Sequence, residues 1–530
     1  MPGAGPRYLS RVRALIVGAG PGGLTAALNL AGLGVEVTVL EKEPIPGGRM
    51  RGLTFGEQGE YQVDTGPSIM QLPQVLERVF RRAGLRIEDW VKLVRLDTNT
   101  RVHFWDGTHL DTSADPARMV AEVERLAPGK GPAYQRWLEL SRAKYAIAYG
   151  TFMAHPADSL AYYNPLRLLP TLKFKPWQSL YAHLDEYFHD DRFSYAFSYP
   201  SKYLGLHPTT CSSVFSVIPY LELEFGVWHV QGGFRELARG LARAAQSKGV
   251  SFRYGSPVKR VLINDGVARG VELESGEVLE ADAVLINADL PYAATALIDE
   301  ATRAGTRLSK ERLEKAKYSC STFMLYLGLD TVYRELPHHL ISLSDAARRT
   351  DAAALEDRDV DLEAPPFYVV NSHVSDPSGA PPGHSAIYVL VPTPNTHAPR
   401  DWPAVEAELT RRIPGWLEKL GFTDLERHIR ARRAFTAQTW RDDFNVHRGA
   451  VFNLSHTWGQ LGPLRPKVRS HDVEQLYWVG GGTHPGSGLL TIMESANIAA
   501  DFISRRLGKG PLSGWPWVPP PGSLPTSAAP

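Results

Sequence analysis

The chain has 530 residues, 43% hydrophobic and 22% charged, and its 58 basic and 57 acidic side chains give a net charge of +1. That length is too great for one compact core and allows about two to four domains of ordinary soluble composition. The balanced charge gives no support to electrostatic nucleic-acid binding, and two distant cysteines, Cys211 and Cys320, argue against a disulfide framework or a structural zinc site and suit a reducing interior.

Near the N-terminus, basic residues precede an apolar run, as in a secretion signal. The run is only Ala14 to Val17 before glycines begin, so it reads as a core strand. No window approaches the roughly 18 consecutive apolar residues of a spanning helix. The segment "RALIVGAGPGGLTAALNLAGLGVEVTVLEKE" predicts a strand over Ala14–Val17, a helix over Leu24–Leu33 and a strand over Val35–Leu40. This is a β-α-β unit with Gly18, Gly20 and Gly23 spaced G-x-G-x-x-G at its first turn. Gly18 makes the turn, Gly20 lets a pyrophosphate approach the backbone, and Gly23 lets helix and strand pack closely. The helix N-terminus offers free N–H groups to the phosphates. Glu41 ends the second strand, where its carboxylate can accept from both ribose hydroxyls and would repel the 2′-phosphate of NADP.

Just beyond lie "EKEPIPGGRMRG", with Gly47, Gly48 and Arg49, and "YQVDTGPS", Tyr61 to Ser68. This pair resembles the second FAD-contact motif of the amine-oxidase-like flavoprotein superfamily. The resemblance implies FAD, with Gly48 and Arg49 along the flavin and pyrophosphate. The charge and fork of an arginine suit a diphosphate.

From about Gln74 to Phe225 aromatics cluster, as in "LKFKPWQSLYAHLDEYF" and "FSYAFSYPSKYLG". Leu166 to Phe188 mixes basic, aromatic and aliphatic residues. It reads either as a surface dipping into a bilayer or as the aromatic core of a helical substrate domain. "GVWHVQGGFRELARGLARAAQSKGVSFRYGSPVKRVLINDG" then predicts a Gly-Gly turn, an amphipathic helix and strands. By the same superfamily resemblance, Val258 touches the adenine through its backbone. "ADAVLINAD", Ala281 to Asp289, predicts a further parallel strand. "STFMLYLGLD" and "SAIYVLVPTP" predict strands of a sheet over the flavin, interrupted by a polar surface insert, "SDAARRTDAAALEDRDVDLEA".

The C-terminal region "LYWVGGGTHPGSGLLTIMESANIAADFISRRLG" again predicts strand, glycine loop and helix, with the strand at Leu476–Val479 and the helical pattern over Ala496–Leu507. Backbone N–H groups of such a loop can face an electron-rich ring edge. Gly480 to Ser495 resembles the C-terminal signature of the bacterial-type phytoene desaturase family, with its T-H-P-G-x-G core. "VDTGP", "GVWHVQGG" and "RPKVRS" resemble other segments of that family, so the likeness spans nearly the whole chain up to Gly510. It implies Gly481, Gly482, Gly488 and Leu489 at the isoalloxazine end of non-covalently bound FAD, the last cysteine being Cys320.

The expected fold is α/β, a Rossmann-type FAD-binding domain with an inserted α+β substrate domain. Residues 1–73, 226–300 and 441–510 form the first, residues 74–225 and 301–440 the second, and residues 511–530 a disordered tail rich in Pro, Gly and Ser. The implied function is removal of hydrogens from C–C bonds of a carotenoid, by a cytoplasmic protein peripherally bound to membrane, with oxygen or a quinone accepting the electrons. No nucleic-acid or metal partner is expected. His484 is the candidate catalytic residue, as the titratable group inside the recognised motif; His229, His456 and Arg465 are weaker candidates. The segments "GSGLLTIMESANIAA" and "NLSHTWGQLGPLRP" differ from the usual phytoene desaturase wording, and Leu490 stands where many of those enzymes carry proline, which leans toward a later step such as 3′,4′-desaturation. Phytoene desaturation, an amine or protoporphyrinogen oxidase, and a prenyl-binding escort protein stay open as alternatives.

Overall fold

A computed structural model describes residues 12–157, 169–344, 364–514, 518 and 520. Of the polar insert expected over 344–364, residues 345–363 lie outside the described residues, as do most of the tail and residues 158–168.

The chain opens with strand β1 (Arg13–Val17), helix α1 (Pro21–Gly32) and strand β2 (Glu36–Leu40). It returns to the same sheet with helix α2 (Phe234–Ser247), strand β3 (Ser251–Arg253) and strand β4 (Ala283–Ile286). Strand β5 (Leu476–Trp478) and helix α3 (Leu489–Arg506) complete it. The sheet order is β5-β4-β1-β2-β3, and every pairing is parallel. Four consecutive residues of β1 are buried, as a strand covered on both faces requires. An antiparallel three-stranded sheet of Val258–Asn264, Val267–Leu273 and Val278–Glu280 connects β3 to β4.

A second sheet has seven strands, in the order Ile429–Phe435, Ser321–Leu329, Ser385–Thr393, Phe367–Val370, His339–Ser342, Thr100–His103 and His109–Thr112. Its strands come from both expected substrate segments. The nucleotide-domain core is continuous across residue 73. Val75, Val79 and Phe80 of the helix Pro73–Arg82, with Tyr145, Tyr149 and Tyr220, join the cluster that holds α1 and α3.

Helix α3 starts at Leu489, seven residues before the expected Ala496. The reason is chemical. Its first turns bury the polar Glu494, Ser495 and Asn497 beside Leu490 and Met493, which breaks up the apolar pattern there. Glu494 takes hydrogen bonds from the Tyr149 hydroxyl at 2.5 Å and from Asn497 Nδ2 at 3.0 Å. Asn497 Oδ1 accepts from Asn29 of α1 and from Arg82, each at 2.9 Å. Buried polar groups satisfied this way specify how three helices meet.

The disordered tail needs correcting at its start. Leu512 is buried, and its N–H donates to Asp501 of α3 at 2.7 Å. Arg82 donates to the Ser513 carbonyl at 2.8 Å, and Arg78 donates to that of Gly514. Composition predicts a solvated tail, but a buried leucine and waiting donors hold its first residues in place. Among the described residues no helix is long and apolar enough to cross a membrane.

Candidate functional site

The turn after β1 is built around Gly18, at φ +98° with its N–H bonded to the Leu40 carbonyl at 2.8 Å. A Cβ on Gly23 would stand 2.1 Å from the Gly18 carbonyl oxygen, so only glycine lets α1 approach the turn. Gly20 is the N-cap of α1, and no side chain caps that end. Gly488 is the N-cap of α3, also without a side-chain cap and with no acidic residue in the first turn. Two helix N-termini are thus left without a side-chain partner.

Both open on one cavity of about 450 Å³ with walls from both sheets. Of the expected contact residues, Gly18, Gly20, Glu41, Gly48, Arg49, Val258, Gly481, Gly482, Gly488 and Leu489 line it. Gly23 sits behind the wall as packing. Glu41 is buried; Oε2 accepts from the Ala19 N–H at 2.7 Å and Oε1 from the Glu43 N–H at 3.0 Å. It therefore braces the glycine turn and keeps lone pairs for hydroxyls. Burial raises its pKa, and the two backbone bonds oppose the shift.

The Gly-Gly-Arg turn, the VDTGP segment and the Gly-Gly turn before α2 interlock. Thr65 Oγ1 donates to the Arg49 carbonyl at 2.9 Å, and Asp64 Oδ1 accepts from the Phe234 N–H at 2.7 Å. The Arg49 guanidinium donates to the Val451 carbonyl, and the nearby Asp289 carboxylate partly offsets the burial that lowers its pKa. Asp289 is pushed up to about 6 by burial, against the pull of Arg49. Asn453 Nδ2 and the His447 N–H also donate to it, at 2.5 and 3.2 Å.

Sequence reading missed Asn287 and Asp289 as wall residues. Asn287 Nδ2 bonds the Gly18 carbonyl at 3.2 Å. The available signal was position, since both follow the C-terminal end of a parallel strand, where open α/β sheets bind ligands. It also missed Lys202, Tyr203 and Gln71 on the wall. Behind Gln71, whose Nε2 donates to it at 3.0 Å, Glu222 is buried and pushed up to about 7 by desolvation.

His484 is not on the cavity wall. It is 3% exposed, its Nε2 donates to the His155 carbonyl at 2.8 Å, and its peptide bond to Pro485 is cis. A side chain turned into the fold in this way holds the loop, and none of its contacts lends support to the catalytic expectation. His229 is likewise buried, 3.1 Å from Asp376. Leu490 also faces inward, into the core around α3, while Leu489 lines the cavity. Leu490 therefore gives no basis for choosing a substrate.

The residues present fit FAD. Two uncapped helix N-termini, an arginine and a carboxylate at the end of β2 share one cavity, and the remaining wall includes Met324, Leu390, Pro392 and Trp440. The sequence model of the flavin-containing amine oxidoreductase family matches residues 21–503. The chain is 67% identical to the all-trans-zeta-carotene desaturase of Myxococcus xanthus, over 96% of each chain. It is 38% identical to the zeta-carotene-forming phytoene desaturase of the same organism, over 93% of each. Among solved structures, putrescine oxidase superposes with a TM-score of 0.61 at 15% identity, over 94% of this chain and 100% of that one, a likeness of fold. The chain belongs to the flavin-containing amine oxidoreductase family and, within it, to the FAD-dependent bacterial-type carotenoid desaturases.

Proposed function

We propose that this desaturase acts on all-trans-ζ-carotene or a carotene of that stage, later than phytoene. The observation that carries this reading is the 67% identity, over nearly the whole chain, to a relative named for ζ-carotene. The relative named for forming ζ-carotene from phytoene is much more distant, at 38%. The 3′,4′ position rested on the wording of two segments, "GSGLLTIMESANIAA" with Leu490 and "NLSHTWGQLGPLRP"; Leu490 packs into the core, and that finer assignment is not carried forward.

In this reading FAD is held with its pyrophosphate at Gly18, Gly20 and Arg49 and its ribose at Glu41. Its adenine meets the backbone of Val258, and its ring meets Gly481, Gly482, Gly488 and Leu489. All of these line the cavity. When bound, FAD supplies a two-electron acceptor for the hydride leaving one carbon as a proton leaves its neighbour. The protein's part is orientation and exclusion of water. Met324, Leu390, Pro392 and Trp440 give a polyene an apolar wall, and Gly481 and Gly482 bring backbone rather than side chains to the ring. No cysteine lies in either glycine loop. A non-covalent cofactor then leaves a colourless pellet and a yellow supernatant on acid precipitation.

Substrate delivery from a membrane surface is part of the same proposal. Leu169, Leu172 and Trp177 are 59, 53 and 70% exposed within nine residues, an apolar projection suited to an interface.

The deciding experiment incubates the purified FAD-loaded protein separately with all-trans-ζ-carotene, phytoene and a 1′-hydroxylated carotene. Conversion of ζ-carotene to more desaturated products is expected. Turnover confined to phytoene, or to the hydroxylated carotene, overturns the assignment.

A further inference from the structure

The segment that precedes β5 contains an arginine whose surroundings are unlike those of any surface cation. Arg465 is 0% exposed. Its Nη2 donates to the Gly481 carbonyl at 2.6 Å and to the Leu454 carbonyl at 3.2 Å. Its Nε donates to the Thr483 carbonyl at 3.2 Å, and its Nη1 to the Gln460 carbonyl at 3.3 Å. Among the described residues no carboxylate pairs with it.

The neighbouring residues grip the same loop. The Pro466 carbonyl accepts from the His484 N–H at 2.9 Å and from Thr483 Oγ1 at 2.8 Å. His456 Nε2 accepts from the Ser487 N–H at 3.0 Å, which requires that nitrogen to be unprotonated. Burial and the adjacent Arg465 both hold His456 neutral. The loop over Gly481–Ser487 is thus anchored from behind, while Gly481 and Gly482 face the cavity on its other side.

A clamp needs donors, but it does not need an unpaired buried charge. Such a charge is costly, because backbone carbonyls replace only part of its hydration. A group that becomes more negative during the reaction can compensate it, and a buried charge acts over several ångströms in a low dielectric. The cavity wall at Gly481 is one peptide unit from the guanidinium.

We infer that Arg465 is a positioning residue that fixes the Gly481–Thr483 loop and, through its charge, favours the reduced form of the cofactor over the oxidised form. This rests on the reading that the loop meets the flavin ring. Burial lowers the guanidinium's pKa to about 9, which still leaves it charged at neutral pH.

The test compares FAD-loaded wild type with R465M and R465Q at pH 7 and with R465K at pH 6, measuring bound FAD, visible spectrum and midpoint potential. In R465M and R465Q the preference for reduced over oxidised FAD falls at least tenfold, a drop of about 30 mV for a two-electron couple. Burial lowers a lysine's pKa toward neutrality, so R465K is read at pH 6, where it keeps the charge and hence most of the potential, although three donors cannot reproduce the four carbonyl contacts. An R465M or R465Q protein that holds FAD at the wild-type potential overturns the inference. If neither neutral variant folds, R465K decides at pH 6 against wild type at the same pH: a wild-type-like potential supports the charge effect, and a tenfold loss of preference overturns it.

Gly481→Ala separates the two readings. Its Cβ would meet the Ser487 hydroxyl at 2.9 Å, which a rotation can relieve. If Gly481→Ala shifts the flavin spectrum while R465M leaves the potential unchanged, only the inference about Arg465 fails. If neither variant changes the flavin, the ring lies elsewhere and the site reading fails with it.

Discussion

Asp64 Oδ1 accepts a hydrogen bond from the backbone N–H of Phe234, 2.7 Å away and 170 residues later in the chain. This contact joins the VDTGP segment to the first turn of α2, just after a Gly-Gly turn. A Cβ on Gly233, at φ +83°, would lie 2.8 Å from the same oxygen. Thr65, next in sequence, bonds the Arg49 carbonyl. Three separated motifs therefore form one brace behind the cavity, and Asp64 has a capping role at a helix N-terminus.

Replacing Asp64 has a signed pH dependence. Its pKa is pushed up to about 6, chiefly by burial, with the His229 charge and the Phe234 N–H opposing. A carboxyl whose folded pKa lies above its unfolded value of 3.8 contributes most below that value and loses the contribution as pH rises through about 6. Asp64→Asn keeps an acceptor without the charge. Its stability relative to wild type rises between about pH 4 and pH 7, read as urea midpoints across that range. Asp64→Ala loses the cap and is destabilised by about 1–2 kcal/mol. A flat difference between wild type and D64N across the range would rule out this account.

Two glycines test packing against helix propensity. Gly23→Ala places a Cβ 2.1 Å from the Gly18 carbonyl oxygen, which is backbone and cannot rotate away. It costs about 3 kcal/mol and releases FAD, as read by thermal melting and by flavin absorbance after desalting. Gly415 lies inside the helix Trp402–Glu418 with nothing within 4 Å of the same construction. Gly415→Ala therefore raises stability by about 1 kcal/mol.

The exposed apolar stretch gives a binding prediction. Trp177 and Leu172, 70 and 53% exposed, are replaced together by serine. Co-sedimentation with phosphatidylcholine vesicles drops several-fold, while the flavin spectrum is unchanged. Equal sedimentation of wild type and variant would remove the role of this stretch in membrane contact.

The nucleotide half was legible because each of its signals is local. A buried strand, a glycine turn and an apolar helix occupy adjacent residues, and Glu41 follows at a fixed distance. The start of α3 was not legible, because Glu494 and Asn497 are buried polar residues whose partners lie on α1, on Arg82 and on Tyr149, and buried Ser495 accepts from the Gly480 N–H of the glycine loop. Asn287, Asp289 and Glu222 were missed for the same reason, since what they do depends on residues far away in sequence. His484 shows another limit of sequence: nothing in the motif told that its titratable side chain faces the interior. A motif fixes the path of the backbone more firmly than it fixes where a side chain points.

The docked start of the tail yields the last prediction. Composition argued that residues after Gly510 are solvated, yet Leu512 is 3% exposed and packs with α3, and its N–H reaches Asp501 at 2.7 Å. Asp501 Oδ2 is already held by Arg505 Nε at 2.7 Å, so the carboxylate is fixed before the tail arrives. Leu512→Ala keeps that backbone bond and removes buried apolar volume, for a loss of about 2–3 kcal/mol. Truncation after Gly510 loses the leucine and also leaves Asp501 Oδ1 without the Leu512 N–H, so it costs more than the point variant. Chemical denaturation of the three proteins orders them as wild type, Leu512→Ala, then truncation. Coincident midpoints for all three would mean that the tail is held without stabilising the fold.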